Sequence, residues 1–199
     1  LDLEGVFLQD NILSLVGGFD FKNGVDGYLD YTSGDIFISD DEELRYGDIH
    51  RSANGFYNQS QDNPTYGYEY VIDLDFDVMA YVVVEINDNT ELQTAFYLQN
   101  EGSSPWKYVG GGTETAYSGS FSYSSISDTG FSGDSHYLLT GFDLSFLGHD
   151  TDFYSHFTMG CGNDNLMGQG TVVPEPSTFL LFGVGGGLIF LARRRKLQK

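Results

Sequence analysis

Polar and apolar residues alternate along much of this chain with a period of two. Within residues 68–77, Tyr68, Tyr70, Ile72, Leu74 and Phe76 fall on one side of an extended backbone. Glu69, Val71, Asp73, Asp75 and Asp77 fall on the other. That pattern predicts a half-buried strand. Residues 79–86 (MAYVVVEI) are a near-continuous apolar and β-branched run, which predicts a strand inside a sheet. Further strands are predicted within 6–21, 28–31, 35–39, 92–98, 119–126, 136–142 and 154–159, with 168–173 as the last. Turn chemistry separates them: Asn23-Gly24, Asn54-Gly55, Asn63-Pro64, Asn87-Asp88-Asn89, Gly110-Gly111-Gly112 and Ser132-Gly133-Asp134. No stretch before residue 174 carries a 3.6-residue stripe of helical length. The expected fold is all-β: an antiparallel sandwich or jelly-roll-like domain over 1–173, followed by one short C-terminal transmembrane helix.

The pattern changes abruptly after Val173. Residues 178–192 hold no charge and are followed at once by Arg193, Arg194, Arg195 and Lys196. Fifteen helical residues rise roughly 22 Å, short of the roughly 30 Å hydrocarbon core of a bilayer. Flanking residues and snorkelling arginines cover part of that deficit. The basic cluster stays cytoplasmic, so residues 1–173 face outwards. Just ahead of the span, Pro174 and Pro176 enclose Glu175, with Ser177 after them. Each proline fixes φ and turns its predecessor away from helix, so this stretch is extended and can be gripped by a processing enzyme.

Pro174, Glu175, Pro176 and Ser177, the apolar span and the Arg193, Arg194, Arg195, Lys196 cluster together resemble the PEP-CTERM sorting signal of exopolysaccharide-producing Gram-negative bacteria. The resemblance covers residues 174–199, with motif 174–177, membrane span 178–192 and basic cytoplasmic end 193–199. It implies an exosortase, a membrane-embedded enzyme, as partner. It also implies an inner-membrane precursor with a periplasmic domain, and release or transfer to the cell surface or matrix after cleavage. The stretch around His156 and Cys161, through Asp164, Leu166 and Gly168, is similar to one found ahead of the tail in some PEP-CTERM proteins.

Charge sharpens this division. Five of the nine Lys and Arg lie in the last seven residues, so 1–173 keeps four cations against 28 acids, a formal charge of −24. Such a domain repels nucleic acid and anionic membrane surfaces, and attracts divalent cations. Aromatics at 16% supply enough bulk for a core. The single Cys161 permits no internal disulfide. Leu1 is not followed by the basic and apolar regions of a signal peptide, so either a removed signal peptide or a fragment is expected.

Several residues are candidates for chemistry. Asp35, Asp40, Asp41, Glu42 and Glu43 gather carboxylates on an expected loop, which reads first as a plain acidic surface and second as a Ca²⁺ site. Asp73, Asp75 and Asp77 stand at D-x-D-x-D, but on a strand they fit a solvated face better than a cage. His156 and Cys161, five apart, could meet around a turn as a thiol–base or metal pair, or be ordinary buried residues. Trp106 and Tyr108, in a loop-like stretch, could form an aromatic platform for sugars or pack at a sheet edge. No hydrolase or metalloprotease motif occurs, and catalytic residues are set at none. The expected function is a non-enzymatic surface or matrix component, associated with exopolysaccharide or another matrix polymer. A carbohydrate-binding module, with or without Ca²⁺, is the alternative, and a polysaccharide-active hydrolase a third reading.

Overall fold

A computed structural model of the chain describes residues 2–25, 31–41, 60–62, 66–95, 103–133 and 135–174. In chain order the strands are β1 (Leu3–Gln9), β2 (Ile12–Gly17), β3 (Ile36–Ser39), β4 (Ser60–Asp62), β5 (Tyr70–Asp75), β6 (Ala80–Glu85) and β7 (Glu91–Gln93). They continue with β8 (Lys107–Gly110), β9 (Thr113–Ser120), β10 (Ser122–Ile126), β11 (His136–Asp143), β12 (Thr151–Thr158) and β13 (Asn165–Val172). Every pairing among them is antiparallel. The protein is all-β in the residues described; its one helical turn there is a 3-10 turn at Ser145–Leu147.

The strands form a four-stranded sheet in the order β1-β2-β11-β10 and a six-stranded sheet in the order β13-β12-β3-β5-β6-β9. A third, small sheet has the order β4-β7-β8. The first two share a core. Leu13, Leu15, Leu139 and Phe142 from the four-stranded sheet meet Ile36, Ile38, Ile72, Val83, Phe153 and Phe157 from the six-stranded one. Gly168 on β13 lets β1 approach at one border: a Cβ there would stand 2.9 Å from the Val6 Cγ1.

Tyr81 spans this core. Its ring packs edge-on to Phe142 and its hydroxyl accepts a hydrogen bond from the Asp143 backbone N–H at 3.1 Å, linking β6 to the end of β11. Tyr81→Phe keeps the ring and strands that N–H. The expected loss is about 1–2 kcal/mol of stability, read as a lower urea midpoint at unchanged slope. An unchanged midpoint would show that the bond contributes nothing.

The alternation within 68–77 reads correctly for Ile72 and Leu74, whereas Tyr68 and Val71 are buried in a second cluster rather than leaving one face wet. Ile72 and Leu74 enter the shared core, and β6 lies between β5 and β9 as its apolar run requires. The strand expected within 6–21 is in fact a hairpin. Asp10 and Asn11, with φ of 50° and 62°, form a two-residue turn between Gln9 and Ile12. Two consecutive positive φ values define the primed turn that fits strand twist, and Asp and Asn tolerate it without glycine. The six-stranded sheet is also buried on its second face. Phe37, Tyr66, Tyr68, Val71, Val84 and Leu92 form a separate cluster there, with Tyr108 of the small sheet against it. A third layer was not expected from the sequence, although the fully buried Ile36–Ser39 strand is what it produces.

Candidate functional site

The point where the layers join is built around Asp35. It precedes β3 and is 1% exposed. One carboxylate oxygen accepts from the Leu74 N–H of β5 at 3.0 Å, and the other from the Tyr108 N–H of β8 at 2.8 Å. Its own N–H donates to the Trp106 carbonyl at 3.0 Å. One side chain thus ties the small sheet to the large one. Burial pushes the Asp35 carboxyl up to about 7, and Asp73 adds to this, while Lys107 and the two N–H donors oppose it.

This placement corrects the grouping of Asp35 with the loop acids. The four residues of β3 stand between it and Asp40, which lies roughly 16 Å away along extended chain. Asp40 and Asp41 are exposed at the far end of β3. The Ser39 hydroxyl donates to the Asp41 carbonyl at 2.8 Å, and the Asp40 N–H donates to the Glu69 carboxylate at 3.1 Å. Glu42 and Glu43 lie outside the described residues. Among the described residues no three His, Cys, Asp or Glu side chains converge as a metal centre.

The D-x-D-x-D acids line an open cleft of about 450 Å³ with Lys22, Lys107 and Thr32. Asp73 is half-buried, and burial raises its carboxyl while Lys107 lowers it. Asp75 is committed to the β5–β6 turn, accepting from the N–H groups of Asp77 at 2.9 Å and Val78 at 3.2 Å. The face is therefore solvated at Asp75 and Asp77, and partly closed over Asp73.

Trp106 is not a free platform. Its indole is wedged against the backbone of Gly34 and of Gly160, where a Cβ would lie 3.0 Å from Cζ2. Tyr108 donates its hydroxyl hydrogen to the Gly111 carbonyl at 2.6 Å. Through their backbones both residues serve the junction at Asp35. His156 and Cys161 do not meet either. The His156 ring packs at 6.2 Å from Phe37 and 5.9 Å from Tyr68, in the second cluster. Cys161 is buried in the shared core on the opposite face of the sheet, and burial raises its thiol. Alternation along β12 sends the His156 ring away from the shared core, and the turn after Thr158 does not bring Cys161 round to it.

The remaining candidate is the exit of the chain. Val172 is the last residue of β13; it is buried, and its carbonyl accepts from the Asp150 N–H at 2.7 Å. Val173 follows with its side chain exposed, and its backbone is held at two points by one side chain. Asn11 Nδ2 donates to the Val173 carbonyl at 2.7 Å, and Asn11 Oδ1 accepts from the Val173 N–H at 2.9 Å. Pro174 is exposed. Glu175, Pro176, Ser177, the span 178–192 and the cluster Arg193, Arg194, Arg195 and Lys196 lie outside the described residues. Among the residues described, no helix is long and apolar enough to cross a membrane.

An all-β domain whose last strand runs directly into a Pro-Glu-Pro segment, an apolar stretch and a basic cluster has the layout of a precursor with a processing tail. The family model of the PEP-CTERM protein-sorting motif matches residues 172–196. The chain therefore carries a PEP-CTERM sorting signal, and the match begins two residues before the first proline. Such a motif implies processing by an exosortase and a membrane-anchored precursor in a Gram-negative bacterium, destined for surface export. No curated protein and no solved structure matches the chain.

Proposed function

We propose that this protein is a non-catalytic component of the cell surface or exopolysaccharide matrix, delivered there by cleavage of its sorting tail. The single observation that carries the reading is the matched motif at 172–196, set directly after the last strand of a folded β domain. The domain itself reads as sandwich-like and acts as the delivered cargo. In the precursor the basic cluster after residue 192 lies in the cytoplasm and the domain in the periplasm, following the bias of Lys and Arg towards the inside. A formal charge of −24 over 1–173 keeps the released domain soluble and suits it to a hydrated, cation-rich polymer layer.

Sugar recognition through Trp106 finds no support, since its indole is packed against Gly34 and Gly160. Hydrolysis through Asp35 fares no better. A general acid must reach substrate, and both Asp35 oxygens are taken by backbone N–H groups inside the fold. The matrix reading is tested by fractionating a producing strain and an exopolysaccharide-deficient derivative. Processed protein should be recovered with the matrix in the first and in the medium in the second. Equal recovery from the medium of both strains would remove the matrix from the account and leave export alone.

A further inference from the structure

We propose that Asn11 is a clasp that fixes where the folded domain ends and the processing segment begins. This inference rests on the sorting reading above and adds a positioning residue to it. Val173 lies beyond the ladder of β13, which pairs Thr151 with Val172 as its last rung. A backbone N–H and C=O leaving a sheet edge would normally turn to water. Here the Asn11 amide takes both, at 2.9 and 2.7 Å, as a neighbouring strand would.

Asn11 is suited to this twice over. It holds a positive φ of 62° in the β1–β2 turn, a conformation that Asn accepts readily. Its side chain is 2% exposed, and its own carbonyl accepts from the Leu144 N–H at 2.9 Å, so the amide is anchored to the body of the domain. An amide also carries its donor and its acceptor on separate atoms, as a peptide group does. The chain up to Val173 is thereby closed to a protease, and the exposed Pro174 is the first residue beyond the clasp. Between the clasp and the first residue of the apolar span lie residues 174–177, which reach at most roughly 14 Å when extended. On the sorting reading, the domain edge is therefore held close to the membrane, and cleavage by the membrane-embedded enzyme falls beyond Val173.

The test uses the full chain in detergent, as wild type, Asn11→Gly and Asn11→Asp. Glycine keeps the positive-φ turn and removes the clasp. Aspartate keeps the acceptor for the Val173 N–H and loses the donor to its carbonyl. Each protein is digested with a non-specific protease, and the protected core is weighed by intact mass spectrometry. The wild-type core should end sharply at or just beyond Val173. The Asn11→Gly core should be ragged and cut back into β13, with Asn11→Asp between the two. Exchange of the Val173 amide hydrogen should be roughly tenfold faster or more in Asn11→Gly, while the melting temperature stays close to that of wild type. The same core end in wild type and Asn11→Gly, or a wild-type core that stops short of Val173, would overturn the clasp.

A cellular arm separates this idea from the sorting reading. The mature form released by cells should carry a C-terminus beyond Val173, and one ending earlier would also overturn the clasp. A wild-type chain that is never cleaved would instead overturn the sorting reading, with the clasp then decided by the digestion.

Discussion

Raising the pH from about 4 to about 8 is expected to destabilise the folded domain by about 4 kcal/mol through Asp35 alone. In the unfolded chain this carboxyl titrates near 3.8, whereas in the fold burial pushes it up to about 7. Between those values the folded chain holds a proton that the unfolded chain has released. Stability therefore falls as the pH rises through that window, and this contribution is flat on either side of it. The repulsion among the other acids acts in the same direction, so wild type alone does not isolate Asp35. Asp35→Asn does. Its amide can accept from Leu74 or from Tyr108 but not from both, and the unpaired N–H costs about 1–3 kcal/mol at low pH. The variant has no charge to bury, so its deficit should shrink as the pH rises from about 4, invert before about 7, and stay level above that. Melting curves at a series of pH values measure this, with fluorescence of Trp106, the chain's single tryptophan, as a probe at the same junction. Parallel curves for the two proteins would show that Asp35 is ionised in the fold at all of these pH values.

The sequence made the strands legible through their alternation, as in Tyr70–Asp75, where Ile72 and Leu74 enter the shared core although Val71 on the other face is buried too. It made the tail legible because processing needs a local, contiguous pattern that no tertiary contact can conceal. What stayed hidden was set by contacts distant in sequence. Asp35 looks like one more surface acid, yet it accepts from residues 39 and 73 positions away. The one available signal was a lone carboxylate between Gly34 and the apolar run Ile36, Phe37, Ile38. The Asp10–Asn11 hairpin was hidden because no glycine marks it, and the clasp on Val173 joins residues 162 apart. The third layer was hidden for the same reason, since Phe37, Val71 and Val84 ask for a cover without saying what supplies it.

Replacing Pro174 and Pro176 together by alanine is expected to reduce release of the domain by about tenfold or more, leaving the full-length chain in the membrane. Each proline disfavours helix by about 3 kcal/mol relative to alanine, so on the proposed reading the pair keeps the motif extended for the processing enzyme. With alanine at both positions that bias is lost, and an enzyme that grips an extended strand is expected to lose its handle. The folded domain should not notice. Pro174 is exposed and lies beyond the last rung of β13, so the melting temperature of the variant should match wild type.

The most direct test of the sorting account is the fate of this variant in a producing strain that contains an exosortase. Membrane and extracellular fractions are compared by immunoblot, and the released product is weighed. The account predicts a shortened wild-type product outside the cell, and a Pro174→Ala/Pro176→Ala chain that remains full-length in the membrane. Equal release of both proteins at the same shortened mass would contradict it.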